Sequence, residues 1–300
     1  MPDFFPWTTK VDENSPWYRV CQTCNTLYQD KNSWWYRIAH DPQIVPRVDE
    51  NCITLRLGGI EFLILEPRGT GVHGRMIPEF LLRTHPGSRF VLSEDTLSPQ
   101  PSFITSLTDL GQQYDQVRRR VWARSRRNQA VLDRLFLRHV NILAVATPLS
   151  LGMVDLVVVS PQGVCLLYLL RSYKDPSLRR AGPGGVAHLM DTMNLKLEPS
   201  PKIQLEVQLF LERMRALGGP WQTRVDRFPD LLTLYPRIRL VIYDFDQAQR
   251  QAGLGTLLLD LEKNLSQGLM SGLDQEGWDG DIFTIGDPGN ISHKLLLSGT

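Results

Sequence analysis

Residues 152–172 read GMVDLVVVSPQGVCLLYLLRS. Two apolar runs flank Pro161-Gln162-Gly163, a combination that reverses a chain and predicts a β-hairpin over 153–171. A single carboxylate, Asp155, heads the first run, and the second ends in Arg171-Ser172. Both runs read as core, so the carboxylate needs a reason to be there. One is a hydrogen bond at a strand start; the other is a bound cation.

Working outward, the pattern from 107 to about 139 changes to helical. Leu110, Tyr114, Val117, Val121, Leu132 and Leu135 fall within a narrow arc at about 100° per residue. The stretch VNILAVATPL (140–149) reads as a strand, and RRAGPGGVAH (179–188) as an irregular Gly/Pro-rich loop. Ser200-Pro201 reads as N-cap and first helical position. Ile203, Val207, Phe210 and Met214 then form an apolar stripe before Gly218-Gly219 ends the helix. IRLVIYDFD (238–246) is apolar enough for a central strand. TLLLDLEKNLSQGL (256–269) predicts a last helix, and DIFTIG (281–286) a strand in an acidic segment. Upstream, CITLRLGGIEFLILEP (52–67) alternates apolar and polar residues around Gly58-Gly59, a strong hairpin signal. A further strand is expected in SRFVLSED (88–95), and TLSPQPSF (96–103) reads as a linker.

The expected class is therefore α/β: a mixed sheet flanked by helices, with an N-terminal β-rich unit. Three segments follow from this reading. Residues 1–103 form an aromatic-rich N-terminal domain, 104–250 an α/β core, and 251–300 a C-terminal helix with an acidic segment.

The order helix, strand, strand, strand, helix, strand, with Val154-Asp155 in the second strand, resembles the PD-(D/E)XK superfamily of restriction-endonuclease-like proteins. The resemblance covers roughly residues 107–246. In that family an aspartate on one strand and Glu-x-Lys on the next hold Mg²⁺ and activate water, which implies a phosphodiesterase site. Aligned through the turn, Asp155 takes the aspartate position, Leu169 the glutamate position and Arg171 the lysine position; Ser172 follows. Leucine cannot bind a metal, and arginine stays protonated near neutral pH and cannot act as a base. The resemblance thus implies an inactive nuclease-like protein that serves as a nucleic-acid-binding or scaffolding subunit of a larger assembly. Two alternatives stay open. One is an active Mg²⁺ nuclease pairing Asp155 and Arg171 with a relocated carboxylate from Glu206 or Glu212. The other is a purely structural interaction protein. Lys174, an odd number of positions from Arg171, would face the other side of a continuous strand.

Charge is distributed unevenly. The net charge is only +1. Yet 116–139 carries Arg118, Arg119, Arg120, Arg124, Arg126, Arg127, Arg134 and Arg138 against Asp133 alone. On one continuous helix Arg120, Arg127, Arg134 and Arg138 would line up over about 27 Å. Such a line suits phosphates, an acidic partner protein, or the acidic residues Asp274, Glu276, Asp279, Asp281 and Asp287 of the same chain.

Cys21-x-x-Cys24 offers half a zinc site, with Cys52 and His40 as the other half; reduced cysteines near a turn are the alternative. Trp17, Tyr18, Tyr28, Trp34, Trp35 and Tyr36 suit either base stacking or a small-domain core. Asp244-x-Asp246 places two carboxylates at a strand end. No cofactor is expected beyond Mg²⁺ for an active enzyme or Zn²⁺ at the cysteines. The most apolar region is broken by Pro148, Gly152 and Asp155, so no membrane span is expected. Without a signal-like N-terminus and with four cysteines, the expected compartment is the reducing cytoplasm.

Overall fold

A computed structural model describes residues 13–69, 71–81, 90–92, 106–125, 130–197, 200–265 and 281–297. The chain forms two compact units interleaved in sequence. The first comprises 1–55, 61–120 and 212–222; the second comprises 56–60, 121–211 and 223–300. The expected linker at 96–103 lies outside the described residues.

The first unit begins with helix α1 (Pro16–Gln29), whose proline at the first turn suits an N-terminus that needs no amide donor there. Trp17, Val20, Cys21 and Cys24 recur at helical spacing and are buried together. Helix α2 (Trp34–Ala39) is capped by Ser33, whose hydroxyl accepts from Tyr36 N at 3.0 Å. Trp34 and Trp35 are buried as well, and Trp35 lies 5.9 Å from Trp221, centroid to centroid. The described tryptophans of the N-terminal stretch are therefore core, not a stacking platform.

Strands β1 (Ile44–Val48), β2 (Ile53–Leu57), β3 (Ile60–Arg68), β4 (Gly71–Met76) and β5 (Phe90–Leu92) form one sheet in sequential order. Gly58 and Gly59 connect β2 to β3 with φ of 59° and 86°. Two consecutive positive φ angles are the requirement of a two-residue hairpin turn, and the Gly-Gly pair meets it.

The long helix expected over 107–139 is broken into α3 (Leu107–Gln112), α4 (Tyr114–Arg124) and α5 (Ala130–Arg138). Tertiary contacts impose the first break. A Cβ on Gly111 would lie 2.6 Å from Trp34 Cα, so α3 presses its backbone onto the start of α2. Tyr114 then donates from its hydroxyl to Asp41 Oδ2 at 2.8 Å, and Arg118 forms an ion pair with the same oxygen at 2.8 Å. The apolar stripe Leu110, Tyr114, Val117 and Val121 is nonetheless buried as its spacing requires.

The second unit is built on a sheet of order β10-β9-β8-β7-β6. Strands β6 (Ile142–Leu149), β7 (Gly152–Val159) and β8 (Val164–Ser172) run antiparallel through short turns. Gly163, at φ 84°, closes the second turn with its N–H on Ser160 O at 2.9 Å. Helix α6 (Val186–Leu197), then α7 (Pro201–Leu217) and α8 (Gln222–Val225), of which residues 212–222 belong to the first unit, lead the chain to β9 (Thr233–Tyr243), which pairs parallel with β8. A crossover of this length is what permits a parallel neighbour. After β9 come α9 (Gln247–Gln249), a π-helical turn over Arg250–Leu254 and α10 (Gly255–Asn264). Strand β10 (Ile282–Ile285), parallel to β9, and α11 (His293–Leu296) complete the unit.

Helix α7 matches its sequence signals: Ser200 Oγ accepts from Ile203 N, the four stripe residues are buried, and Gly218 and Gly219 take positive φ after it. Helix α6 departs from expectation, because the loop read around 179–188 gives way to a helix at Val186. Val186, Ala187, Met190, Met193 and Leu197 recur at helical intervals and are buried. The preceding Gly182-Pro183-Gly184-Gly185 masks that signal.

Asp133 holds the turn of the first hairpin, residues 56–60, within this second unit. Its two oxygens accept from Arg56 Nε at 2.9 Å and from Gly59 N at 2.6 Å, and the Asp133 and Arg56 side chains are almost fully buried. The one acid among the helix arginines thus pairs with an arginine from a strand. Arg224 closes the C-terminal end of α5: its guanidinium donates to Phe136 O (2.8 Å), His139 O (2.7 Å) and Ile142 O (3.3 Å) and stacks on Phe136. Burial lowers its pKa to about 10, with Arg227 adding to the effect.

Replacing Asp133 by Ala is expected to cost about 3–5 kcal/mol, because Arg56 would stay buried without its counter-charge. The midpoint of urea unfolding measures it, with an unchanged m value marking a native-state effect. His139 gives a pH dependence: burial holds its pKa below the ordinary 6.5. The unfolded chain therefore binds the proton more readily. Stability is fully present above pH 6.5 and falls as pH drops below it, with a slope of at most about 1.4 kcal/mol per pH unit. Thermal melts of the chain and its His139→Asn variant from pH 7.5 to 5.5 check this, the variant losing that part of the slope.

Candidate functional site

The ladder between β7 and β8 ends at the pair Leu156–Tyr168. One residue beyond, the Asp155 side chain takes over from the backbone. Its Oδ2 accepts from Leu170 N at 2.7 Å and from an Arg171 guanidinium nitrogen, also at 2.7 Å. Both hydrogen bonds are charge-assisted and short. The same Arg171 nitrogen donates to Leu170 O at 2.7 Å, and Arg171 Nε lies 3.7 Å from Asp175 Oδ2. Arg171 is thus held between two carboxylates, in a partly buried setting.

The row continues across the end of the sheet. Ser172 Oγ donates to Asp244 Oδ2 at 3.3 Å, and Asp244 N donates to Gly286 O at 2.8 Å. Asp244 stands just past β9 with φ 64°, a conformation uncommon outside glycine. Burial, then Asp155 and Asp244, raise the Tyr243 pKa, so its phenol stays protonated through neutral pH.

Asp155 and Arg171, the aspartate and lysine positions of the family alignment, are in direct contact. Leu169, at the glutamate position, lies on the same face of β8 as Arg171 by strand alternation and is fully buried. Glu206 is engaged elsewhere: its Oε2 accepts from Ser150 N at 2.8 Å in the turn before β7. Glu212 belongs to the other compact unit. Lys174 sits in the turn beyond β8, which ends at Ser172, so strand parity does not govern it. Asp244 and Asp246 also part company, because Asp246 caps α9 by accepting from Gln249 N at 2.7 Å.

The described arginines of this stretch divide between the two units. Arg119 donates to Asp115 O (3.2 Å) and Arg120 to Glu79 O (3.2 Å) in the first unit. Arg134 donates to Ala130 O (3.3 Å) and Arg138 to Gly289 O in the second. Arg126 and Arg127 lie outside the described residues. The single line through Arg120, Arg127, Arg134 and Arg138 required one unbroken helix, and the helix that carries Arg120 ends at Arg124. The carbonyls that meet Arg119, Arg120 and Arg138 are neutral and orient a guanidinium without cancelling its charge.

Cys21 and Cys24 share the buried face of α1, and burial pushes the Cys21 thiol up to about 12, against thiolate formation. Cys52 instead lies near Asp49 (3.8 Å) and Thr54 (4.0 Å), and burial raises its pKa too. His40 stacks against Tyr36 and Tyr28. Among the described residues, no three His, Cys, Asp or Glu side chains come together as a metal site. Nor is any described helix long and apolar enough to cross a membrane. No protein-family model matches the chain, and neither a curated protein nor a solved structure matches it significantly.

Sequence reasoning missed Arg171 as the partner of Asp155, although an antiparallel hairpin brings the start of its first strand beside the end of its second and both residues are out of place in an apolar run. Asp155→Ala is expected to destabilise the chain by about 1–3 kcal/mol, since the Leu170 amide and Arg171 lose their shared acceptor. Asp155→Asn, which keeps an acceptor oxygen, should cost less. Thermal melts of both variants with and without Mg²⁺ report this; a Mg²⁺-dependent midpoint in the parent chain that Asp155→Asn abolishes would instead assign Asp155 to a metal.

Proposed function

We propose that the second unit is a nuclease-like core whose metal site has been replaced by an internal ion pair, and that it acts as a catalytically inactive nucleic-acid-binding or scaffolding subunit of a larger assembly. The contact between Asp155 and Arg171 carries this reading. In the resembled family the aspartate oxygen faces a divalent ion. Here the same oxygen is saturated by a guanidinium and an amide. A hard cation would have to displace a permanently charged neighbour and would find a leucine where its second carboxylate should be. Strand order supports the family assignment, with three antiparallel strands followed by a parallel fourth.

Nucleic acid is the partner that best suits the arginines. Arg119, Arg120 and Arg138 donate to neutral carbonyl oxygens and form no ion pair among the described residues, so their charge remains available to phosphates.

The test is binding of labelled duplex and single-stranded DNA and RNA, in Mg²⁺ and in EDTA, at two salt concentrations. Salt-sensitive binding with no cleavage in either condition is expected. Replacing Arg119 and Arg120 by Glu should weaken binding and reduce the slope of log affinity against log salt by roughly one for each phosphate no longer neutralised. Mg²⁺-dependent cutting would overturn the inactive reading, and salt-independent or absent binding would overturn the nucleic-acid partner.

A further inference from the structure

Beyond the carboxyl ends of β9 and β10 lies a cleft of about 830 Å³. It falls in the size range of small-molecule sites, and the carboxyl ends of parallel strands are where open α/β sheets bind ligands. Two elements line it. Gln247, Arg250 and Gln251, at i, i+3 and i+4, share one face of the helical segment after β9. Thr284, Ile285 and Gly286, where β10 ends, line it as well.

Local geometry shapes the cleft further. The left-handed φ of Asp244 turns the chain out of β9 immediately before Phe245. The Phe245 ring is half-buried and packs against Tyr173 with centroids 6.2 Å apart at 60°. A Cβ on Gly286 would lie 3.1 Å from Phe245 O, so the absence of a side chain keeps this wall close and flat. Arg250 and Gln251 open a π-helical turn, an irregularity that recurs at functional sites.

The polar groups divide into engaged and available. Asp246, also in the lining, is committed to its capping box: it accepts from Gln249 N at 2.7 Å, and Gln249 Oε1 accepts from Asp246 N at 3.0 Å. The side chains of Gln247, Arg250, Gln251 and Thr284, by contrast, make no hydrogen bond or ion pair with other described residues. One guanidinium, two amides and a hydroxyl with their hydrogen-bonding capacity unspent therefore line a single cleft beside an aromatic ring.

We propose that this cleft binds a nucleoside monophosphate group. Phe245 presents a surface for a planar base, and the amides of Gln247 and Gln251 offer the paired donors and acceptors that base edges require. Arg250 supplies the two-pronged donor that fits a phosphate, and Thr284 a hydroxyl for the sugar or a phosphate oxygen. The group arrives either as a free mononucleotide or as the phosphorylated end of a strand. The second source rests on the nucleic-acid reading above; the first does not.

Calorimetric titration of the full chain tests this. The probes are the four ribonucleoside monophosphates, the corresponding nucleosides, and a short single-stranded oligonucleotide with and without a 5′ phosphate. Arg250→Gln is expected to weaken monophosphate binding at least tenfold and to leave nucleoside binding unchanged. Gln247→Ala with Gln251→Ala should change the order of preference among bases. All three positions are exposed, and unchanged melting temperatures confirm that the variants fold. Tighter binding of the phosphorylated oligonucleotide than of any mononucleotide assigns the strand end; the reverse assigns the free nucleotide. No saturable binding of any phosphorylated probe, or binding indifferent to Arg250→Gln, overturns the site. Duplex binding that survives Arg250→Gln while monophosphate binding is lost keeps the two sites separate. Loss of salt-sensitive duplex binding alone, in the Arg119 and Arg120 variant, touches only the earlier reading.

Discussion

The carboxylate of Asp155 sits where a backbone ladder stops and a guanidinium begins. Because its oxygen binds both the Leu170 amide and Arg171, the edge of the β7–β8 hairpin is closed by side chains. That closure fixes the end of β8, against which β9 and then β10 are laid in parallel. The row through Ser172, Asp244 and Gly286 extends the same polar edge to the cleft beyond β9. A charge inside an apolar strand is tolerated because every partner it needs comes from the neighbouring strand.

The arginine bias acquires a structural meaning in the same way. Arginine outnumbers lysine 26 to 7, and several arginines are internal fasteners that a compact, strongly hydrated ammonium would serve poorly. Arg224 gathers three carbonyls at the end of α5, and Arg56 meets Asp133 out of water. Arg239, buried on β9, donates to the Tyr168 hydroxyl at 3.1 Å, which in turn donates to Leu296 O at 2.9 Å. Arg119, Arg120 and Arg138 differ in kind, because they donate to neutral backbone carbonyls.

Local signals carried most of the fold. The Gly58-Gly59 turn, the Ser160–Gly163 turn and the Gly218-Gly219 stop depend on backbone conformations that few residues adopt, and the Ser200-Pro201 start on a capping hydroxyl and a first-turn proline, so each was legible. Helix α6 was obscured because its apolar spacing follows directly on a Gly/Pro-rich loop. The breaks in the 107–139 helix were invisible because they answer to distant residues: Trp34 against Gly111, and Asp41 against Tyr114.

By itself the sequence determined the alternation of strands and helices, the hairpin that carries Asp155, and the apolar character of Leu169 two residues before Arg171. These follow from periodicity and residue chemistry, which act over a few positions. Only the tertiary structure decided that Arg171 neutralises Asp155, that Glu206 caps a turn, and that the cysteines of α1 lie apart from Cys52 with its Asp49 and Thr54 neighbours. It also brought Gln247, Arg250 and Thr284 to one cleft. Which side chains meet across a sheet edge depends on register and strand order, and those are set by the packing of the whole unit rather than by any short stretch of chain.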